Sequence, residues 1–467
     1  MATSPRLSAC SVLVLFVSVV VMAFAGPAVA QNASSRNLAA CSQTSSDGAL
    51  AACTRAIESG ALKGADLATL HIHRAIALTR LGQRDRAIED YTRAIQLVPN
   101  YAMAFLGRGV AYLAEGYSSR AVADYDQAIQ LAPKFALTYN SRGKAHQASG
   151  DYDRAIADYN KAIELKFVSA HGNRAGAYLA KGDYDTAIAD YTRALRLDPK
   201  SASLYNGRGA AYRGKGANDR AIADFDQAIR VDPKFAEAYR GRGGAYLAKG
   251  DRERAIADYD QAIRHDPRFA LAYVGRGAAY RSKGDNDRAI LDFDEAIRLD
   301  AKLAMAYVGR GAAHRSKGDN DRALADYDEA IRLAPRFATA YNNRGAAYRA
   351  KGDYARAIAD YDAALKLDPK FPRALFGRGL AKVKKGDAAA GNADIAAAKA
   401  MEPDIAEEFV PKPQPATAPV ADCMAAETHW KSAEQIKTLA VYQDHLARFP
   451  NCDFAALARA RIEVMRK

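Results

Sequence analysis

The chain is predicted to be all-α, an α-solenoid of about ten stacked helix hairpins followed by a small C-terminal helical hairpin. Three observations predict it. A 34-residue unit, cleanest from Ala236 to Phe269, returns along most of the 467 residues. Inside the unit, two apolar stripes of helical period are separated by Gly250-Asp251. One such hairpin cannot bury its stripes alone, so neighbouring copies must stack.

The first helix is expected over about Glu237 to Lys249, where Tyr239, Arg242 with Gly243, and Tyr246 recur at helical spacing. The second runs from about Arg252 to His265, with Ala255, Tyr259 and Ala262 on one stripe and Ile256 and Ile263 beside it. It stops at Asp266-Pro267, because proline disfavours helix in the residue before it. Gly243, Ala255 and Ala262 let the helices approach, while Tyr239, Tyr246 and Tyr259 fill the space above and below. In this register, copies begin at Ala68, Ala102, Ala136, Val168, Ala202, Ala236, Ala270, Ala304, Ala338 and Pro372.

The unit resembles the tetratricopeptide repeat family, whose small-residue and aromatic pattern and closing proline match Gly243, Tyr246, Ala255, Tyr259, Ala262 and Pro267. The resemblance covers about residues 68–405 and implies a right-handed superhelix whose first helices line a concave, protein-binding groove. One departure is systematic. Where the family usually carries leucine before the small residue of the first helix, every copy here carries arginine, among them Arg242, Arg276 and Arg310.

The ends read differently. Residues 1–30 hold one early charge, Arg6, an apolar run from Val12 to Ala25, and Ala28-Val29-Ala30 before Gln31, the pattern of a cleaved signal peptide. The run is short for a membrane span, so no span is expected after cleavage, and a periplasmic or secreted protein follows. Residues 31–67 form an N-terminal segment with a half-repeat cap from Asp47 to Ile57, because Ala49, Cys53 and Ala56 repeat the spacing of Ala255, Tyr259 and Ala262. The repeat array spans residues 68–405. It is irregular between Ile163 and His171, which is two residues short, and at Ala301, which replaces the proline. The last copy has a polar signature, with Lys382, Gly391 and Lys399 at the places of Tyr246, Ala255 and Ile263. A Pro-rich linker is expected over residues 406–422 and a helical hairpin over residues 423–467. Local pairing in an oxidising compartment favours Cys41 to Cys53 and Cys423 to Cys452 disulfides.

No catalytic, metal-binding or cofactor-binding constellation emerges. Most of the eight histidines occupy repeat positions, and there is no phosphate loop, nucleophile elbow or zinc helix. The net charge of +13 is distributed over repeats that all carry aspartates, and the aromatics are committed to packing, which argues against nucleic acid.

Two sets of side chains carry the functional expectation. On the free face of the first helix the early groove is apolar, and the later groove sets Arg213, Arg240, Arg281, Arg315 and Arg349 over a floor including Val274 and Val308, with Asn342. Arginine offers a planar fork to carboxylates, so the partner expected is a protein or peptide, acidic or partly apolar. A regulatory or accessory module of an envelope polysaccharide or peptidoglycan enzyme complex is the alternative. Sugar binding wants exposed aromatics, which these sets lack. The second set is a structural ladder: each repeat's arginine is matched by an aspartate before the second-helix aromatic, as in Arg242 with Asp258, Arg276 with Asp292 and Arg310 with Asp326. Arg254 lies four residues before Asp258 and is a local competitor, but its counterparts are Thr186 and Ala390 where Asp190 and Asp394 persist. The pairing is expected within a repeat or with its neighbour.

Overall fold

The computed structural model describes residues 41, 46–409, 430, 438–448, 458, 462 and 465. The expected signal peptide, Cys423 and Cys452 lie outside the described residues. The fold is an all-helical repeat solenoid. Among the described residues no helix is long and apolar enough to cross a membrane.

The chain divides into two units, Met1–Arg322 and Ala323–Lys467. The first opens with α1 (Ser46–Glu58) and continues as hairpins. These are α2 (Gly64–Arg80) with α3 (Arg84–Leu97), α4 (Ala102–Ala114) with α5 (Ser118–Leu131), and α6 (Ala136–Ala148) with α7 (Tyr152–Glu164). Then come α8 (Ala170–Lys181) with α9 (Tyr184–Leu197), α10 (Ala202–Gly214) with α11 (Asn218–Val231), and α12 (Ala236–Ala248) with α13 (Arg252–His265). The run closes with α14 (Ala270–Ser282), α15 (Asn286–Leu299) and α16 (Ala304–Ser316). The second unit holds most of α17 (Asn320–Leu333), then α18 (Ala338–Ala350), α19 (Tyr354–Leu367), α20 (Pro372–Lys385), α21 (Ala388–Met401) and α22 (Leu439–Arg448).

Residues 236–269 show why each repeat takes this shape. The chain leaves α12 through Gly250 in the left-handed region (φ +81°), where a side chain would be strained. That conformation aims the Asp251 amide back at the Tyr246 carbonyl (2.9 Å). The Asp251 carboxylate then accepts the Arg254 amide (3.1 Å) and caps α13. At the far end Asp266 is extended, as the following proline demands. Asp300, which precedes Ala301, keeps the same extended conformation, so losing that proline changes nothing locally.

Packing follows the small residues. Ala245, Ala255 and Ala262 are fully buried, and the Tyr259 ring closes the gap to the next copy. A Cβ placed on Gly275 would sit 2.3 Å from Tyr259 Cε1. The glycine one residue before the ladder arginine is therefore the socket for the preceding repeat's aromatic. Gly241 receives Phe225, and Gly309 receives Phe293, in the same way.

At the short joint, α7 ends at Glu164 and Lys166 turns the chain at φ +66°. Lys166 and Phe167 bond back to the Ile163 and Ala162 carbonyls (2.9 Å each). The next first helix accordingly starts at Ala170.

Both ends of the array are covered. α1 packs Ala52, Cys53 and Ala56 against Leu70, and a Cys41–Cys53 disulfide closes the layer. After α21, a 3-10 turn spans Pro403–Phe409, overlapping the first residues of the expected linker. Ile405 is fully buried against Leu375, Phe376 and Ala398, and Phe409 stacks on Phe376 at 4.6 Å. In repeat register Pro403 stands at Pro267's place and Ile405 at Phe269's, so this turn completes the copy that begins at Pro372. In α22, Tyr442 is buried with Trp430, Ala458 and Ile462.

Candidate interaction groove and arginine ladder

The ladder arginines stand between the two helices of each hairpin. Arg242 donates from Nε and Nη2 to the two oxygens of Asp258 (2.8 and 2.6 Å), a bidentate fork. Its third nitrogen, Nη1, reaches Asp226 of the preceding repeat (2.6 Å), and its guanidinium lies 5.5 Å from the Tyr239 ring. Arg276 repeats this with Asp292 and Asp260. Arg344 repeats it with Asp360 and Asp328, and Arg378 with Asp394 and Asp362. Arg310 binds Asp294 through Nη1 (2.6 Å). Asp326 is buried in the second unit. Earlier copies use Thr92, Asp126, Asn160 and Thr192 in the bridging place. Arg108, Arg142, Arg174, Arg208, Arg242 and Arg276 so join the second helix of their own repeat to that of the preceding one, as do Arg344 and Arg378 in the second unit.

That bridging acceptor was not singled out in the sequence, although a signal existed. Two residues after every ladder aspartate from Asp90 to Asp360 stands threonine, asparagine or aspartate. The local competitor resolves differently: Arg254 pairs with the capping Asp251 and lies 4.5 Å over the Tyr246 ring.

Burial and partner number set the charge states along the ladder. Burial raises the pKa of Asp258 and Asp292 against the pull of their arginines, and a second carboxylate on the same arginine adds to the rise. Burial also pushes on Asp90 and Asp394, yet each ends below the usual carboxylate range because it has a second hydrogen-bond partner besides its arginine. For Asp90 this is His71, whose Nδ1 is 2.8 Å away, and for Asp394 it is Lys382 at 2.9 Å. His146 likewise lies 3.8 Å from Asp158, so these histidines serve the ladder.

The free faces of the first helices change character along the chain. In the early copies, Leu106 and Leu137 pack on Tyr125, flanked by Met103, Val110 and Leu113. Next comes a polar step, where Asn173 donates to Asn140 (2.7 Å) and Tyr159 to Gln147 (2.9 Å). Burial lowers the pKa of Lys144 in this step. Farther along, Val274 packs beside Phe293 and Val308 is buried.

The expected groove arginines do not form one uniform stripe. Arg213 and Arg281 are exposed, whereas Arg240, Arg315 and Arg349 are half-buried, each with an Nε that is enclosed and has no hydrogen-bond partner. Burial, and then the charge of the neighbouring Arg213, lower the pKa of Arg240. In the second unit Arg349 lies over the Phe409 ring (5.6 Å), and Asn342 is buried and donates to Asn343 (3.1 Å).

Models of the TPR repeat match residues 77–116, 175–216, 211–250, 311–349 and 345–386. Further tetratricopeptide repeat models match residues 245–304, 136–166 and 104–135. Together they span more than half of the sequence, and the chain belongs to the tetratricopeptide repeat proteins. Comparison with curated proteins finds no match. Among solved structures, yeast Tom70 is 17% identical over 79% of this chain and 96% of its own, with a TM-score of 0.43. MamA is 28% identical over 35% of this chain and 96% of its own, with a TM-score of 0.31. A tetratricopeptide repeat protein from Parabacteroides merdae is 18% identical over 62% and 98%, with a TM-score of 0.40.

Proposed function

We propose that this chain is an exported protein-interaction scaffold that takes an acidic, partly apolar peptide segment along the free face of its first helices, with no catalysis of its own. The observation that carries the reading is the chemistry of that face. Val274 and Val308 form an apolar floor, and among the described residues the guanidiniums of Arg213 and Arg240 in the preceding copies are not hydrogen-bonded to carboxylates, in contrast to the ladder arginines on the same helices. Planar forks over an apolar floor suit a chain that carries carboxylates between apolar side chains.

Export rests on the first thirty residues and on the cysteines, and the compartment it implies is the periplasm or the outside of the cell. The test is affinity capture from an envelope extract with the wild-type chain and with an R281A/R315A variant. The reading expects the captured partner to be released as salt rises and to be held less by the variant. Equal retention at every salt concentration would remove the groove assignment. N-terminal sequencing of the mature protein checks export, with Gln31 as the expected first residue.

A further inference from the structure

We propose that Arg213, Arg240 and the Tyr259 hydroxyl form a receptor for one side-chain carboxylate, aspartate or glutamate, within an extended partner segment. The proposal rests on the groove reading above and names its anchor point.

Arg240 is out of pattern. Its place on the first helix is taken by Leu106, Asn140, Asn206, Val274 and Val308 in other copies, and a cation stands there in this copy alone. One turn later Gly244 stands where the next two copies have Ala278 and Ala312. A Cβ at Gly244 would meet Arg213 Nη1 at 2.8 Å and the Tyr259 hydroxyl at 3.7 Å. Glycine therefore leaves room on the helix surface where the Arg213 fork crosses from the preceding repeat, with the hydroxyl of the buried Tyr259 at its edge. Arg240 approaches the same phenol and lies 5.6 Å over the Phe269 ring.

Neither guanidinium is hydrogen-bonded to a carboxylate among the described residues, and Arg240 Nε is enclosed without any partner. Two neighbouring cations, one of them half-buried with an enclosed donor unspent, are costly for the free protein. An anion offsets that cost. Glu237, which faces Arg240 from the preceding turn, leaves the group one net positive charge. That matches a carboxylate better than a phosphate dianion. Leu247, packed on the Tyr259 cluster, and half-buried Val274 give apolar side chains next to the carboxylate a surface to rest on.

The experiment selects binders to the full chain from short, N-acetylated and C-terminally amidated peptides that carry one central glutamate among apolar and neutral residues. The best binder, its Gln form, its phosphoserine form and inorganic phosphate are then titrated against wild type, R213M, R240M, R240K and R281A. The expected result is a loss of about tenfold to a hundredfold for the Gln form and for R240M, the range for a hydrogen bond to a charged group. R240K should recover only part of it. R240M should also melt at or above the wild-type temperature, because it removes one of two neighbouring cations that share a single facing carboxylate, Glu237. A lower melting temperature would show instead that Arg240 is a structural partner and would overturn the proposal. Binding that depends on Arg281 but ignores R213M and R240M would overturn it and leave the groove reading standing. Indifference to every arginine variant would remove both. Tighter binding of phosphate or of the phosphoserine form would overturn the carboxylate assignment.

Discussion

At the scale of single residues, the ladder pairs are asymmetric. The Asp258 side chain is 7% exposed and that of Arg242 is 21% exposed. Truncating the arginine strands a buried carboxylate, whereas truncating the aspartate leaves a cation that still touches water and Asp226. R242A is therefore expected to cost about 3 kcal/mol or more, and D258A less. Urea unfolding of both single variants and the double variant measures the coupling, and values all within about 0.5 kcal/mol of wild type would show solvated decoration. The two kinds of ladder aspartate should also separate by pH. A carboxylate whose folded pKa is lowered, such as Asp90, adds stability that is present above its unfolded pKa and is lost as pH falls through the folded one. A carboxylate whose folded pKa is raised, such as Asp258, holds its proton more tightly when folded and so favours the folded state as pH falls through the range just above 3.8. Stability measured from neutral pH downward should fall less steeply in D90N than in wild type, and more steeply in D258N.

At the scale of the helix hairpin, contact between copies depends on sockets that admit no side chain. G275A is expected to destabilise by about 1–3 kcal/mol, since the Tyr259 ring must leave its place or the helices must part. Thermal melting of the variant checks this. The short joint has the opposite prospect. Lys166 is the one non-glycine residue with positive φ among the described residues, so K166G should raise stability by up to about 1 kcal/mol in the same assay. A second row of ion pairs runs between hairpins at the surface, including Lys249 with Asp219 and Lys283 with Glu253 at 2.9 Å. Its members are well exposed, and water and salt screen each pair so that it contributes little. The buried row, not this one, is expected to hold stacking register.

At the scale of the whole molecule, a repeat array adds stability between nearest neighbours, so its ends are its weak points. The amino end is closed by α1 and the Cys41–Cys53 disulfide, and the carboxyl end by the 3-10 turn at Pro403–Phe409. Reducing the disulfide releases a short loop and should cost about 3 kcal/mol in the chain-entropy account. The loss should appear first as hydrogen exchange in α1 and α2. Non-reducing mass spectrometry of the mature protein should find Cys41 joined to Cys53, and our reading of the export route adds Cys423 joined to Cys452.

The sequence by itself determined the all-helical repeat, its register and nearly every helix boundary. These follow from local rules: apolar period, a left-handed glycine, a capping aspartate and a stopping proline. It also marked the ladder, because an arginine and an aspartate recur together at a fixed spacing. The third acceptor on each arginine, such as Asp226, was not legible as a partner. It lies on a different repeat, and only the stacking distance brings it within reach. The groove was legible as a face but not as a set of environments. Arg213 and Arg281 occupy the same repeat position and Arg240 a different one, but the sequence does not say how far each is enclosed. Tertiary packing separates them, because the Phe269 ring, Tyr259 and Arg213 lie close to Arg240 while Arg281 stays exposed. Burial and neighbouring charge belong to the stacked copies, and no local rule of helix formation contains them.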